Sequence, residues 1–149
     1  MRCFIQRVTE ASVSIAGKQV ATIGAGLLVL VGIGNEDDFD TINSMVKKIT
    51  QLRIFYDEQG KMNHSVVDVG GDILLVSQFT LFADCKKGNR PSFILAAQPQ
   101  IAQTHFDDFY NLMCTKMGNK VHKGVFGANM QVQLINDGPV SIWLDSNDL

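Results

Sequence analysis

Cysteine is scarce in this 149-residue chain, and the three present, Cys3, Cys85 and Cys114, share no C-x-x-C spacing. An odd number so spaced argues against a disulfide framework and against a zinc knuckle. Long apolar runs are missing too. The longest, residues 26–33, falls well short of the about 20 residues that a membrane-spanning helix needs. The opening Met1-Arg2-Cys3-Phe4-Ile5-Gln6-Arg7 turns polar too early for a secretory apolar region, so the expectation is a cytoplasmic protein with no membrane partner. Nor is there an excess of one charge. With 13 basic and 15 acidic residues the formal net charge is −2, which leaves no global basic field to recruit nucleic acid. Any RNA contact must be local and small.

Familiar catalytic signatures are absent as well. His64, His105 and His122 make no H-E-x-x-H and no other metal-ligand spacing, so no metal and no cofactor are expected. Gly24-Ala25-Gly26 has Val29 where a dinucleotide fingerprint requires its third glycine. Lys87-Gly88-Asn89-Arg90 lacks both the glycine spacing and the following Ser/Thr of a phosphate-binding loop. No G-x-S-x-G elbow occurs, which removes hydrolases of that design.

What is present is enough for one core, with 46% of residues apolar. Phe4, Gln6, Val8 and then Val13, Ile15 alternate, a turn at Ala16-Gly17-Lys18 follows, and residues 27–33 read as a strand buried on both faces. Asp37-Asp38 opens a helix with Phe39, Ile42, Met45, Val46, Ile49 and Leu52 as its stripe. A second helix starts near Pro99, carries Ile101, His105, Phe106, Phe109, Leu112 and Met113 on one side, and stops at Gly118. Three strands are expected to close the chain, over 120–125, 130–135 and 140–144. The fold class is α+β: a single domain, 1–149, with a mostly antiparallel, barrel-like sheet and two main helices.

Two stretches resist a purely structural reading. Ser77, Gln78 and Thr80 are polar residues set between Ile73-Leu74-Leu75-Val76 and Leu81-Phe82-Ala83. Unpaired, such groups cost roughly 1–3 kcal/mol when buried, so they either bond to backbone at a strand end or face a ligand. Farther on, Gly138-Pro139 falls between alternating segments ending at Leu134 and beginning at Val140. Asp-Gly alone would signal a hairpin, but the proline removes a donor where the next strand should pair. The pair is either a plain inter-strand loop or a peptide whose geometry is itself functional. Lys86, Lys87 and Arg90 are similarly open, as a solvated loop or as contacts to phosphate.

Taken together, Ser77-Gln78-Phe79-Thr80-Leu81 and Asn136-Asp137-Gly138-Pro139-Val140 resemble the signature pair of the D-aminoacyl-tRNA deacylases. The likeness extends over essentially the whole chain. It takes in Met1-Arg2, Gln6-Arg7-Val8, Lys87-Gly88-Asn89-Arg90-Pro91-Ser92-Phe93 and Gly124-Val125-Phe126-Gly127-Ala128. Ser141 and Cys85 depart from the pattern, each standing where threonine is usual.

The resemblance implies hydrolysis of the ester joining a D-amino acid, or glycine, to the terminal adenosine of tRNA, glycine mischarged on tRNA-Ala included. It also implies a homodimer, in which a cis Gly138–Pro139 peptide reaches from one subunit into the other's pocket and receives the substrate ammonium on its carbonyls. Backbone amides at Phe79 and Thr80 would stabilise the oxyanion. Ser77, Gln78 and Thr80 would position the substrate, with a part in the chemistry for the ribose 2′-hydroxyl. Arg7 would orient the Gly-Pro loop, and Lys86, Lys87 and Arg90 would meet tRNA phosphates. Two alternatives stay open: a non-catalytic nucleic-acid-binding protein of the same fold, and a paralogue with a trans Gly-Pro peptide that admits L-esters.

Overall fold

Strand formation begins at the second residue. In the computed structural model, which describes residues 1–149, β1 (Arg2–Ile15) turns at Ala16-Gly17 into β2 (Lys18–Ile23), and β3 (Gly26–Gly32) follows. Helix α1 (Phe39–Gln51) comes next, then a small hairpin of β4 (Phe55–Tyr56) and β5 (Met62–His64). Strand β6 (Asp72–Ser77) runs into a 3-10 turn over Phe79–Phe82. Helix α2 (Pro99–Met117), β7 (Val121–Lys123) and β8 (Gln131–Asp145) complete the chain. No helix is long and apolar enough to cross a membrane.

The main sheet runs β2-β1-β3-β6-β7, and β8 pairs with the remaining edge of β1. Pairings of β1 with β2, β3 and β8 are antiparallel, whereas β3–β6 and β6–β7 are parallel. Parallel neighbours need a long crossover; α1 lies in the connection from β3 to β6, and α2 in that from β6 to β7. The result is a mixed, nearly barrel-shaped sheet with antiparallel pairings in the majority, as the α+β reading anticipated.

Both faces of the central strands are covered. Leu27, Val29 and Val31 of β3 and Ile73 and Leu75 of β6 join one core with Ile42, Met45, Val46 and Ile49 of α1 and Phe106, Phe109 and Met113 of α2. Leu28, Leu74 and Val76 face the inside of the curled sheet with Val8, Ala11, Val13 and Ile23. That two-sided burial is why residues 27–33 show no alternation. At the start of α1, Asp38 Oδ1 accepts from the Thr41 amide at 2.9 Å and supplies the N-cap. The helix stripes differ slightly from expectation. Phe39 and Ile101 are exposed, and Ala102 takes the inward position on α2, because each apolar arc is narrower than the run of apolar residues.

The final third departs most from the sequence reading. Residues 131–145 form one strand rather than two, and the strand near 120 is confined to Val121–Lys123. Asn136 pairs with Val8 and Ser141 with Gln6, so residues 137–140 face the single residue Arg7. This odd excess of three residues reverses which face the even-numbered side chains meet. Val132 and Leu134 pack inside the curled sheet, whereas Val140, Ile142 and Leu144 pack against the helices. Strand β1 makes the matching reversal at Thr9, the one residue between Val8, paired with Asn136, and Glu10, paired with Ile135.

Candidate active site

Where β6 ends, the Gln78 amide donates to the Val31 carbonyl at 2.7 Å and the chain tightens into the 3-10 turn. Leu81 N–H bonds the Gln78 carbonyl at 3.3 Å, and Ala83 N–H bonds that of Thr80 at 3.0 Å. Gly32 permits this close crossing. A Cβ there would lie 3.1 Å from the Gln78 carbonyl oxygen and 3.2 Å from Cβ of Leu81. Ser77, Gln78 and Phe79 are thereby placed in the wall of a cleft of about 600 Å³. Twelve of its eighteen lining residues are hydrophobic, so Ser77, Gln78, Gln98 and Asn129 are among the few side chains able to orient a bound group. Phe79 meets Phe93 edge-on across the rim, with ring centroids 4.9 Å apart.

Thr80 lies just outside this lining and is tied to it through Gln78, whose Nε2 donates to Thr80 Oγ1. No carboxylate or imidazole of the chain bonds the Thr80 hydroxyl. The leading amides of a helical turn, here those of Phe79 and Thr80, have no partner within the turn and can serve a ligand. After the turn, Asp84 and Ser92 exchange backbone bonds of 2.8 and 2.9 Å and close a loop that carries Lys86, Lys87 and Arg90. All three are exposed and join no ion pair within the chain.

Gly138 and Pro139 occupy a different setting. Residues 137–139 are exposed at the crest of the β8 bulge, and the Gly138–Pro139 peptide is cis. Gly138 has φ +135°, a conformation that L side chains rarely adopt, and a Cβ there would lie 2.8 Å from Val140 Cγ2 and 3.1 Å from Arg7 Nη2. Beneath the crest, Arg7 is 1% exposed. Its Nε donates to the Asp137 carbonyl at 3.0 Å, its Nη1 donates to the Ile54 carbonyl at 2.5 Å, and its guanidinium carbon sits 4.6 Å from the Tyr56 ring centre. Its Nη2 is buried without an acceptor. Asn136 grips the neck from the other side. Its Oδ1 accepts from the Val140 amide at 2.7 Å, and its Nδ2 donates to the Val140 carbonyl at 3.2 Å and to Ser141 Oγ at 3.1 Å.

Within one chain, then, Ser77, Gln78, Phe79 and Thr80 come together, and so do Arg7, Gly138 and Pro139. The two groups do not, since neither Gly138 nor Pro139 lines the cleft. Sequence reasoning assigned no task to Asn136, Gln98 or Asn129. The signature segment that begins at Asn136 was the signal for the first, but it assigned the side chain no partner. His64, His105 and His122 lie on β5, α2 and β7, and no three ligating side chains cluster. Cys3 is fully buried, which pushes its thiol well above the usual range and leaves it unreactive.

The family model described as D-Tyr-tRNA(Tyr) deacylase matches residues 4–145. Among curated relatives, proteins named D-aminoacyl-tRNA deacylase are 55% identical in Desulfitobacterium hafniense, over 98% of this chain and 97% of that one, and 54% identical in Thermomicrobium roseum, over 100% and 96%. One from Chlorobaculum parvum is 53% identical over 98% of both chains. A solved structure described as c-Myc DNA Unwinding Element Binding Protein superposes with a TM-score of 0.93 at 44% identity, covering 97% of this chain and 98% of the other. A second, described as a probable eukaryotic D-amino acid tRNA deacylase, shares the fold with a TM-score of 0.83 at 17% identity, covering 96% and 97%. On this full-length match the chain belongs to the D-Tyr-tRNA(Tyr) deacylase family, a family of hydrolytic enzymes.

Proposed function

We propose that this protein hydrolyses the ester of D-aminoacyl-tRNA, and of glycyl-tRNA such as glycine mischarged on tRNA-Ala, releasing the free amino acid and tRNA in the cytoplasm. The observation that carries the reading is the more than 50% identity, over nearly the full chain, to proteins named for that activity. The geometry fits the chemistry. Water adds to the ester carbonyl carbon, the tetrahedral anion collapses, and the ribose 3′-oxygen departs with a proton. Amides of Phe79 and Thr80 receive the developing oxyanion, a contribution of roughly 10²–10³ in rate per donor. Gln78, Ser77 and Thr80 hold the reacting groups in register. An aminoacyl ester is already activated, so a triad and a metal are both dispensable.

Selection falls to the β8 bulge of a second copy. Its Gly138 and Pro139 carbonyls accept the substrate ammonium. A D side chain or a glycine hydrogen then points outward, and an L side chain meets backbone. Three features support a homodimeric site: the bulge is exposed, it is braced by Arg7, and it does not line its own cleft. Lys86, Lys87 and Arg90, exposed on the loop that precedes Phe93 of the cleft, would contact acceptor-stem phosphates.

A second reading, a nucleic-acid-binding protein without turnover, is favoured by the 44% identical structure, whose protein is named for binding a DNA element. Deacylation of matched D-Tyr-tRNA and L-Tyr-tRNA by the purified, metal-free protein decides between them. Release of D-tyrosine alone is the expected result. Binding without release of either amino acid would establish the second reading, and release of L-tyrosine would overturn the chiral filter.

A further inference from the structure

Four residues of β8 facing one residue of β1 leave a stretch of backbone without ladder partners, and such a stretch is ordinarily soft. Here the neck of the stretch is closed by a side chain. The Asn136 carboxamide presents an acceptor and a donor side by side, as a peptide group does, and pairs with both the N–H and the C=O of Val140 at 2.7 and 3.2 Å. The same nitrogen reaches Ser141 Oγ at 3.1 Å. Val140 is itself buried in the helix-side core, so this clasp ties the bulge to a fixed point. Arg7 holds the ascending side at Asp137 and Asn136 holds the descending side at Val140, with Gly138 and Pro139 exposed between them.

We infer that Asn136 is a positioning residue that sets stereochemical selectivity: its carboxamide stands in for the missing strand partner and fixes the height and direction of the Gly138 and Pro139 carbonyls. Asparagine is specified by both geometry and chemistry. Aspartate keeps the acceptor for Val140 N–H but loses the donor, and glutamine moves the amide one methylene out of register. A filter that works by steric exclusion loses discrimination when its wall can shift, whereas the D-ester reaction tolerates some looseness because its side chain points away. Loosening the clasp therefore raises L-ester hydrolysis relative to D-ester hydrolysis, an effect that a general loss of stability does not produce.

This inference rests on the deacylase reading above, and the test separates the two. D-Tyr-tRNA and L-Tyr-tRNA kinetics are measured for the wild type, Asn136→Ala, Asn136→Asp and Ser141→Ala, each with a thermal melt. The expected result is a fall in the D-over-L ratio of about tenfold or more for Asn136→Ala, less for Asn136→Asp and least for Ser141→Ala. Should Asn136→Ala fail to fold, Asn136→Asp and Ser141→Ala carry the test, because each leaves part of the clasp in place. Folded variants whose D-over-L ratio stays within roughly twofold of the wild type overturn the role of Asn136 and leave the deacylase reading intact. A wild type that hydrolyses neither ester overturns both.

Discussion

The cleft beside Ser77 and the bulge at Gly138 are built on opposite principles. At the cleft, Ser77 and Gln78 are polar groups in the wall of an apolar recess, and Gln78 bonds Thr80 just outside it. At the bulge, the exposed groups are backbone, and buried or half-buried side chains hold them from behind. A recess can place a substrate by enclosing it, whereas a protruding edge can exclude one only if it does not yield. On the proposed reading, stiffness is required at Arg7, Asn136 and Gly138, and chemistry at Ser77–Thr80.

That contrast can be broken most severely from the bulge side. Arg7→Ala removes two charge-assisted bonds to carbonyls and leaves the Ile54 carbonyl buried, so a loss of about 3–5 kcal/mol in stability is expected in a denaturant melt. Arg7→Lys should recover only part of it, since an ammonium lacks the fork that reaches both acceptors. Gly138→Ala comes next, with strain of about 1–3 kcal/mol expected from its φ and from the 2.8 Å approach to Val140. Its signature is a drop of roughly tenfold to a hundredfold in kcat/KM for the D-ester, together with a fall of several degrees in melting temperature.

The cleft should respond more gently. Thr80→Ala loses one side-chain bond of about 0.5–1.5 kcal/mol, so hydrolysis slows by roughly threefold to tenfold and persists. Complete loss, with an acyl group trapped on Thr80, would make it a nucleophile instead. The smallest effect is expected from Lys86→Ala, Lys87→Ala and Arg90→Ala singly. Each should weaken tRNA binding slightly and flatten its dependence on log salt by about 0.7–0.9. An unchanged salt slope would place the tRNA elsewhere.

The same contrast explains what could be read in advance. Helix α1 was legible because Asp38 and the Ile42, Met45, Val46, Ile49 stripe carry their own period, and β3 because a run buried on both faces needs no pattern. The continuity of β8 was hidden. Its apolar residues keep even numbers on both sides of Gly138-Pro139 while the side chains change faces, and only the pairing with β1 reveals the reversal. The parallel pairing of β6 and β7 is likewise a property of the crossover helix rather than of either short strand. In the site, the cluster at Ser77–Thr80 was visible as polar residues among apolar ones. Asn136 was not, because its partners are backbone atoms of Val140 that carry no sequence mark. His105 shows the limit in the other direction. Its i,i+3 spacing brings Asp108 near, yet at 3.9 Å the two make no hydrogen bond and Nδ1 stays buried without a partner, which spacing does not indicate.

The central claim is that one working site takes its cleft from one copy and its bulge from another. It is tested most directly by complementation. Gly138→Ala spoils the bulge, Ala128→Trp fills the cleft, and each variant alone should keep about a tenth of wild-type activity or less on D-Tyr-tRNA. Unfolded together and refolded as a mixture, random pairing makes half of the dimers mixed, each with one intact cleft facing one intact bulge, so activity should return to about a quarter of the wild-type level. A mixture no more active than the two variants measured separately would contradict the shared site and return both halves of the chemistry to a single chain.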